Sequence, residues 1–524
     1  MLLRRTVTLL AGLFVLFVLI APSDLEKFTF EAFLRVPLEG LIGVMVLVLL
    51  PDRFRKPAAV VGGIALGLFA VVKVMDIGFD MVLYRPFDLV LDWPLLVPAI
   101  DFVDSTFGRF ASVLAVVLAV ALVVGFVFLA AASVLRLSSV AAGRRPVAVR
   151  AVALVAVACV SLAVPGIPVY SDAAATSLVD HARRVQVGLH DQEVFAAEAS
   201  VDAYRGQPGL LSSLQGKDVV ITFVESYGKS ALELPDVSAK LADGNARLAA
   251  AGYSARSAFL TSPTAGGGSW MAQATLLSGL WIDNQQRYRN LVASDRLTLP
   301  RAFREASWRS VGVVPGITQA WPEGDFFHYN EIYAAQDLGY KGPKFGYATT
   351  PDQFTLEAFQ RAERSKAHGP VMAAIPMVSS HAPWSPTPDS VDWNQLGDGS
   401  IYSTMPASDD PPESIFGRDP AAVRADYGHS ISYSLESVVS YVERYGDENL
   451  VFVFLGDHQP AQMVTGEGAS RDVPITIVAK DPAVLDRVSA WKWDDGIKPG
   501  GSAPVSKMSD FRDQFLSTFS PPRP

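Results

Sequence analysis

Apolar residues follow two patterns along this chain, and the change between them falls near Gly166. Before it, apolar side chains come in long, nearly unbroken runs. After it, they come in short runs separated by polar and helix-prone stretches. A helix that spans a bilayer needs about 20 mostly apolar residues, because no water in the bilayer core can satisfy an open backbone. Five runs approach that length: Thr6 to Ala21, Val36 to Leu50, Pro57 to Met75, Phe110 to Leu135 and Val147 to Val164. They predict an N-terminal bundle of five transmembrane helices. Lys73 and Asp76 fall near the end of the third run, where a long side chain is expected to snorkel toward water. Leu89 to Val103, with Trp93 and two prolines, reads as a segment lying along the interface.

From Ser171 to about Gln215 the chain is polar and helix-prone, which predicts a connecting arm. Beyond Lys217, the runs Val219 to Val224, Ser310 to Val314, Val371 to Val378, Leu450 to Leu455 and Val473 to Ala479 read as buried strands. Leu297 to Ala306 and Tyr427 to Arg444 read as amphipathic helices between them. The expected fold class is α/β, in three parts. A transmembrane domain occupies residues 1–170, a helical linker 171–215, and a domain with a largely parallel central sheet and flanking helices 216–524.

Charge orients the apolar runs, since Lys and Arg in short loops are retained on the cytoplasmic side. Arg4 and Arg5 precede the first run, Arg53, Arg55 and Lys56 follow the second, and Arg136, Arg144, Arg145 and Arg150 lie between the fourth and fifth. The alternate loops carry Asp24, Glu26 and Glu31, and then Asp76, Asp80, Asp88, Asp92 and Asp101. An odd number of passes from a cytoplasmic N-terminus predicts a multi-pass cell-membrane protein whose chain after about Pro165 is extracytoplasmic. A signal peptide is the competing reading of the first run, but no small-residue cleavage site precedes Ser23 and further apolar runs follow. A formal net charge of -9 and the lack of a basic stripe argue against a nucleic-acid partner. The single cysteine, Cys159, lies in an apolar run, which leaves the polar part no thiol for a disulfide or a thiolate metal site.

In open parallel sheets the ligand crevice lies beyond the carboxyl ends of the strands. Three apolar runs here lead into chemically capable residues: Glu225 after the first, His381 after the third, Asp457 and His458 after the fourth. Two carboxylates and an imidazole suit a divalent ion such as Zn or Mn. A fourth ligand is offered by Ser269, which follows three glycines at an expected helix start, where free amides and the helix dipole favour an alkoxide or a phosphate. Singly, each has a plainer reading: a turn, a tight connection, a cap, a structural histidine. Their joint occurrence at strand ends and a helix start favours a site. His381 would donate a proton to a leaving oxygen or hold a phosphate oxygen, with Pro383 and Trp384 shaping the rim.

Val224-Glu225-Ser226-Tyr227-Gly228, Gly266-Gly267-Gly268-Ser269, Ser380-His381-Ala382-Pro383 and Phe454-Leu455-Gly456-Asp457-His458 come in an order that resembles the lipoteichoic acid synthase-like proteins of the alkaline phosphatase and sulfatase superfamily. The resemblance covers most of the chain and implies five spans followed by an extracytoplasmic sulfatase-like domain. It implies that Glu225, Ser269, Asp457 and His458 hold one divalent metal ion, Mn or Zn. Ser269 stands where the family usually has a threonine nucleophile, and His381 matches a histidine that contacts the transferred group. Such enzymes move phosphoglycerol or phosphoethanolamine from a membrane phospholipid, through a covalent phospho-enzyme, to an extracytoplasmic glycan or lipid. Trp321 matches a substrate-binding tryptophan, but Glu323 stands where the glycerol-phosphate enzymes carry an arginine. An acid beside a phosphate is unfavourable, which weakens phosphoglycerol as the transferred group.

A true sulfatase is disfavoured, because no Cys/Ser-x-Pro-x-Arg pattern occurs. Extra carboxylates such as Asp325 or Asp352 leave a second metal open. Three functions are therefore weighed: a phospho-group transferase, a phosphodiesterase, phosphatase or sulfatase-like hydrolase using the same residues, and an inactive sensor or scaffold.

Overall fold

A computed structural model of the chain describes residues 2–23, 28–83, 85–93, 96, 100, 103–104, 108–163, 170–410, 412–415, 417–466 and 468–522. Asp24, Glu26, Asp101 and much of the interfacial segment expected over 89–103 lie outside the described residues. The chain falls into two compact units, Met1–Asp191 and Gln192–Pro524.

The first unit contains the helices α1 (Leu2–Ile20), α2 (Leu38–Leu49), α3 (Asp52–Leu83), α4 (Arg109–Gly143) and α5 (Arg145–Ala163). The helix α6 (Ala173–Ser200) follows, and the division between the units falls within it. Among the described residues three helices are long and apolar enough to cross a membrane, over Leu3–Ile20, Asp52–Asp80 and Arg109–Gly143. The short apolar α2 is not among them. Two short parallel strands, β1 (Val36–Pro37) and β2 (Tyr170–Ser171), pair just before α2 and α6.

α3 and α4 pack backbone to backbone. A Cβ built on Gly67 would lie 2.5 Å from Cα of Val127, and one on Gly63 the same distance from Cα of Ala131, so only glycine permits this approach. Cations from neighbouring helices donate to backbone carbonyls at the helix ends. Arg136 donates to the carbonyl of Arg4 (2.9 Å) and to Oγ1 of Thr8 (3.0 Å). Arg55 donates to the carbonyls of Leu47 and Leu50, both at 3.0 Å, at the end of α2.

Lys73 and Asp76 depart from the expectation that they reach water. α3 continues to Leu83, so both lie inside the helix and are buried, and they are satisfied internally. Lys73 donates to the carbonyls of Val18 (2.9 Å), Leu19 (3.4 Å) and Ala21 (2.5 Å) at the end of α1. Asp76 holds Nε2 of His181 at 3.1 Å and accepts from the amide of Phe87 at 3.0 Å.

The second unit is built on one mixed sheet, in the order β10-β4-β9-β8-β3-β7-β5-β6, with β11 also on β4. The strands are β3 (Asp218–Val224), β4 (Ser254–Thr261), β5 (Arg309–Val314), β6 (Glu331–Ala334), β7 (Val371–Pro376), β8 (Leu450–Gly456), β9 (Asp472–Ala479), β10 (Asp494–Asp495) and β11 (Val505–Lys507). β8, β3, β7, β5 and β6 run parallel. β9, expected among the parallel strands, is antiparallel to both β8 and β4. A run of apolar residues reports burial on both faces and carries no direction.

Period-two alternation splits β3 between two cores: Val219, Ile221 and Phe223 face one layer, Val220 and Val224 the other. The first layer holds the helices Ser269–Ser278, Leu299–Glu305 and Asp510–Phe519, numbered here α8, α9 and α12. The second holds Pro235–Ala250, Asp352–Phe359 and Pro420–Tyr445, which are α7, α10 and α11.

Candidate metal centre and nucleophile

β3 and β8 are neighbours in parallel register, with Val224 opposite Gly456. The residues that follow each strand therefore emerge side by side at one edge of the sheet, which brings Glu225 against Asp457 and His458. One ligand atom from each of these three buried residues lies within 4.8 Å of the others.

Ser269 joins them as the first residue of α8. Gly268 before it has φ +83°, and a Cβ there would meet Cε of Met271 at 2.9 Å, so the turn that delivers the serine requires glycine. The loop is tied to the end of β8 by the amide of Gly266, which donates to the carbonyl of Gln459 at 2.8 Å. As a result Oγ of Ser269 donates to Oε2 of Glu225 at 2.9 Å and lies 3.1 Å from Nε2 of His458.

Each ligand is oriented by a second contact. Nδ1 of His458 lies 2.8 Å from the carbonyl of Gln459, which turns Nε2 toward Glu225 Oε1 at 3.2 Å. Oδ1 of Asp457 accepts from the amides of Ser226 and His458, both at 2.8 Å. Ser226 adopts φ 56°, donates its hydroxyl to Oε1 of Glu225 (2.9 Å), and receives the hydroxyl of Tyr427 on its carbonyl (2.9 Å). A non-glycine residue in the left-handed region persists only where its surroundings hold it, as here. Ser380 donates to the carbonyl of Glu225 at 2.7 Å.

The electrostatics are those of a cation site. Burial, and then the charge of Glu225, push the Asp457 carboxyl up to about 7. Burial would lower His458, but the carboxylates of Asp457 and Glu225 outweigh it and hold the imidazole at about 9. Burial also opposes the charge on Glu225, yet the His458 imidazolium keeps that carboxyl well below the usual range. A divalent ion fits the same donors: two hard carboxylates, an imidazole Nε2 that is free for coordination once deprotonated, and a hydroxyl. Among the described residues this is the one group of three or more His, Cys, Asp and Glu side chains so arranged.

Asp352 and Asp325, left open as second-metal ligands, lie elsewhere. Asp352 is fully buried and accepts from the amides of Val378 and Ser379 (both 2.9 Å) and the hydroxyl of Ser434 (2.6 Å), so it braces the loop after β7. Asp325 is exposed on the turn Pro322–Phe327.

His381 sits on that braced loop, half-buried, stacked on Tyr347 with ring centroids 4.1 Å apart, and Nδ1 is 2.8 Å from the carbonyl of Ala382. It is close enough to Glu225 to help lower that carboxyl. Trp384 is not at the rim: it is buried, donates to the carbonyl of Ser380 at 2.8 Å and packs edge-on against Tyr427, because its neighbours are the core of the second layer. Trp321 packs against Phe327 and lines a small cavity with Trp270, the residue after Ser269. Ser226, Gln459 and Tyr347 were not singled out from sequence, and the bracing role of Asp352 was not foreseen. Only Ser226 and Gln459 carried a signal, by adjoining Glu225 and His458.

No family model matches the sequence, and no curated protein matches it. Solved structures do. The phosphoethanolamine transferase EptA from Neisseria meningitidis is 12% identical, with a TM-score of 0.47 over 97% of this chain and 95% of that one. The phosphoglycerol transferase GacH from Streptococcus pyogenes is 12% identical, with a TM-score of 0.38 over 63% and 80%. The lipoteichoic acid synthase LtaP from Listeria monocytogenes is 12% identical, with a TM-score of 0.36 over 62% and 76%. At these identities the roles of individual residues rest on this chain's own side chains.

Proposed function

We propose that this protein is a metal-dependent enzyme that transfers a phospho-alcohol group from a membrane phospholipid to an extracytoplasmic glycan or lipid. The observation that carries the reading is the approach of Oγ of Ser269, at a helix start, to within 3.1 Å of a buried Glu225, Asp457 and His458 cluster. Glu225, Asp457, His458 and Ser269 would hold one Mn or Zn ion. When bound, such an ion supplies Lewis acidity that lowers the pKa of a hydroxyl and polarises a phosphoryl oxygen.

The chain's own residues do the rest. Ser269 loses its proton along the hydrogen bond to Glu225 and attacks phosphorus. A bond forms between Oγ and phosphorus, and the bond from phosphorus to the diacylglycerol oxygen breaks. His381 donates a proton to that oxygen, releasing diacylglycerol. The amides at the start of α8 favour the negative charge on the phospho-serine. An acceptor hydroxyl then gives its proton to His381 and forms a bond to phosphorus, and the bond from phosphorus to Oγ of Ser269 breaks as Ser269 recovers its proton from Glu225. Trp321 would line the subsite for the transferred group, and Glu323 disfavours phosphoglycerol relative to a cationic head group.

The charge pattern supports a five-pass topology with a cytoplasmic N-terminus, a membrane domain over 1–170, a linker over 171–215 and an extracytoplasmic catalytic domain over 216–524. Hydrolysis by the same site is the second reading, favoured by the half-buried position of Ser269, which leaves water access to the nucleophile. Purified full-length protein given labelled phosphatidylethanolamine or phosphatidylglycerol, with water and a candidate glycan both present, is expected to release diacylglycerol and label the glycan. Label recovered only in the free alcohol phosphate would make it a hydrolase. Unchanged release by Ser269→Ala would remove the serine from its role.

A further inference from the structure

His381 is fixed at one nitrogen. A carbonyl can only accept, so the 2.8 Å contact between Nδ1 and the carbonyl of Ala382 places a proton on Nδ1. Nε2 has no hydrogen-bond partner among the described residues and is the nitrogen left to exchange a proton with a ligand. One hydrogen bond holds one atom of a ring, and the torsion that turns a histidine ring about its Cβ–Cγ bond is soft. A second contact is needed to set the plane.

Tyr347 supplies that contact. Its ring lies on the imidazole with centroids 4.1 Å apart and planes inclined by 25°, close to face-to-face. The face of a tyrosine also attracts a cation, so the stack holds when the imidazole takes up a second proton. The tyrosine is itself held by its turn. Phe345 and Ala348 are buried on either side of it and exchange backbone hydrogen bonds, both of 3.2 Å. Gly346 donates its amide to the carbonyl of Ser408 at 2.7 Å. It has φ +59°, and a Cβ there would lie 2.9 Å from Cδ of Pro383, two residues after His381. Consecutive residues of one turn, Gly346 and Tyr347, thus lie against Pro383 and His381, on the loop that Asp352 braces. Among residues 345–348 only Tyr347 is exposed, at 42%. Core packing does not account for a ring left this open, whereas a role at His381 does.

We propose that Tyr347 is a positioning residue for proton transfer: its ring fixes the imidazole plane of His381, so that Nε2 keeps one direction when it gives a proton to the leaving oxygen and when it takes one from the acceptor hydroxyl. No bond to Tyr347 forms or breaks in either step. The inference rests on the reading of His381 as the proton carrier of the transfer.

Full-length Tyr347→Leu, Tyr347→Phe, His381→Gln and the double variant of Tyr347→Leu with His381→Gln would be followed for diacylglycerol release from phosphatidylethanolamine and phosphatidylglycerol in detergent. Tyr347 is exposed, so each variant should fold, which matching melting curves verify. Tyr347→Leu is expected to lower kcat by about tenfold and to leave KM within about twofold. Tyr347→Phe, which keeps the ring, should recover most of that rate. Once His381 is glutamine, Tyr347→Leu should add no further loss, because the tyrosine acts only through the imidazole. Bis(p-nitrophenyl) phosphate is the contrasting probe: p-nitrophenolate leaves without taking up a proton, so its first-turnover burst should fall far less in Tyr347→Leu. The stack is read without turnover. In protein with labelled histidine, the ring signals of His381, assigned by their loss in His381→Gln, should shift in Tyr347→Leu far more than in Tyr347→Phe.

An equal fall with both leaving groups, or the same loss with and without the imidazole, would make Tyr347 a structural residue and overturn the inference. Histidine signals indifferent to Tyr347→Leu would overturn it as well. Full activity of Tyr347→Leu beside an impaired His381→Gln would sink this inference and leave the transfer reading standing. Full activity of His381→Gln, or a wild type that releases no diacylglycerol, would instead remove the reading on which it rests.

Discussion

The hydroxyl of Ser269 stands 3.1 Å from Nε2 of His458, although 189 residues separate them along the chain. The contact exists because the start of a helix in one layer meets the end of the strand β8, and the same edge of the sheet supplies Glu225 from β3. A serine hydroxyl, two carboxylates and an imidazole are thereby held by backbone that is itself hydrogen-bonded.

The identity of the nucleophile separates this serine from a passive ligand. Ser269→Ala is expected to lower lipid turnover by about a thousandfold or more while changing folding stability by less than about 1 kcal/mol. Ser269→Thr, which keeps the hydroxyl, should retain measurable turnover and a trapped phospho-enzyme detectable by mass spectrometry. Equal activity in the alanine variant would exclude covalent catalysis by this residue.

Metal should stabilise the folded protein by mass action. At an ion concentration a hundredfold above its dissociation constant the gain is about 2.7 kcal/mol. A chelator is therefore expected to lower the melting temperature of the wild type, and elemental analysis should return about one divalent ion per chain. In Glu225→Gln the chelator should have little further effect. A wild-type melting curve indifferent to chelation would count against the centre.

Asp202 holds together two buried arginines. It accepts from Nη1 of Arg512 at 2.8 Å and lies 3.3 Å from Nε of Arg296, and both guanidiniums are buried. Burial opposes its charge, but Arg512 and then Arg296 more than compensate and lower its pKa. Because the folded value lies below the unfolded one, of about 3.9, this carboxylate's contribution is fully present above that value and is lost as pH falls through the folded pKa. Asp202→Asn leaves Arg296 with only backbone acceptors and Arg512 with Asp513 as its one carboxylate partner, and should cost up to about 3–5 kcal/mol, read by denaturant unfolding. The variant should also lose part of the acid sensitivity of the wild type between pH of about 4 and the folded pKa.

The membrane unit can be tested at Gly67. A side chain there would fall on Cα of Val127, so Gly67→Val must separate α3 from α4. Overpacking of this kind costs about 1–3 kcal/mol. The variant is expected to melt earlier in detergent, whereas Gly78→Val, where nothing stands within 4 Å of the added Cβ, should not.

Much of this was legible along the chain, for identifiable reasons. Long apolar runs have one stable outcome beside lipid, so helices form at all five expected places, and three of them have the length and apolarity to cross a membrane. The strands that lead into Glu225 and Asp457 are buried on both faces and read as continuous apolar runs. Glycine before Ser269 announced a turn into a helix. Strand direction was not legible: β9 and the unforeseen β4 run antiparallel, and alternation has no sign. The expectation for Lys73 failed because hydropathy counts a charge as seeking water, while here three carbonyls at the end of α1 take its place.

The sequence by itself determined which stretches are apolar enough to leave water and which residue types stand at the ends of strands and the start of a helix. Those follow from side-chain chemistry and local periodicity, which are properties of neighbours in the chain. Only the tertiary structure decided that Glu225, Ser269, Asp457 and His458 share one small volume, that Asp352 and Trp384 serve the core, and that Tyr347 lies on His381. Those depend on strand register and helix packing between segments far apart in sequence, where no local preference acts.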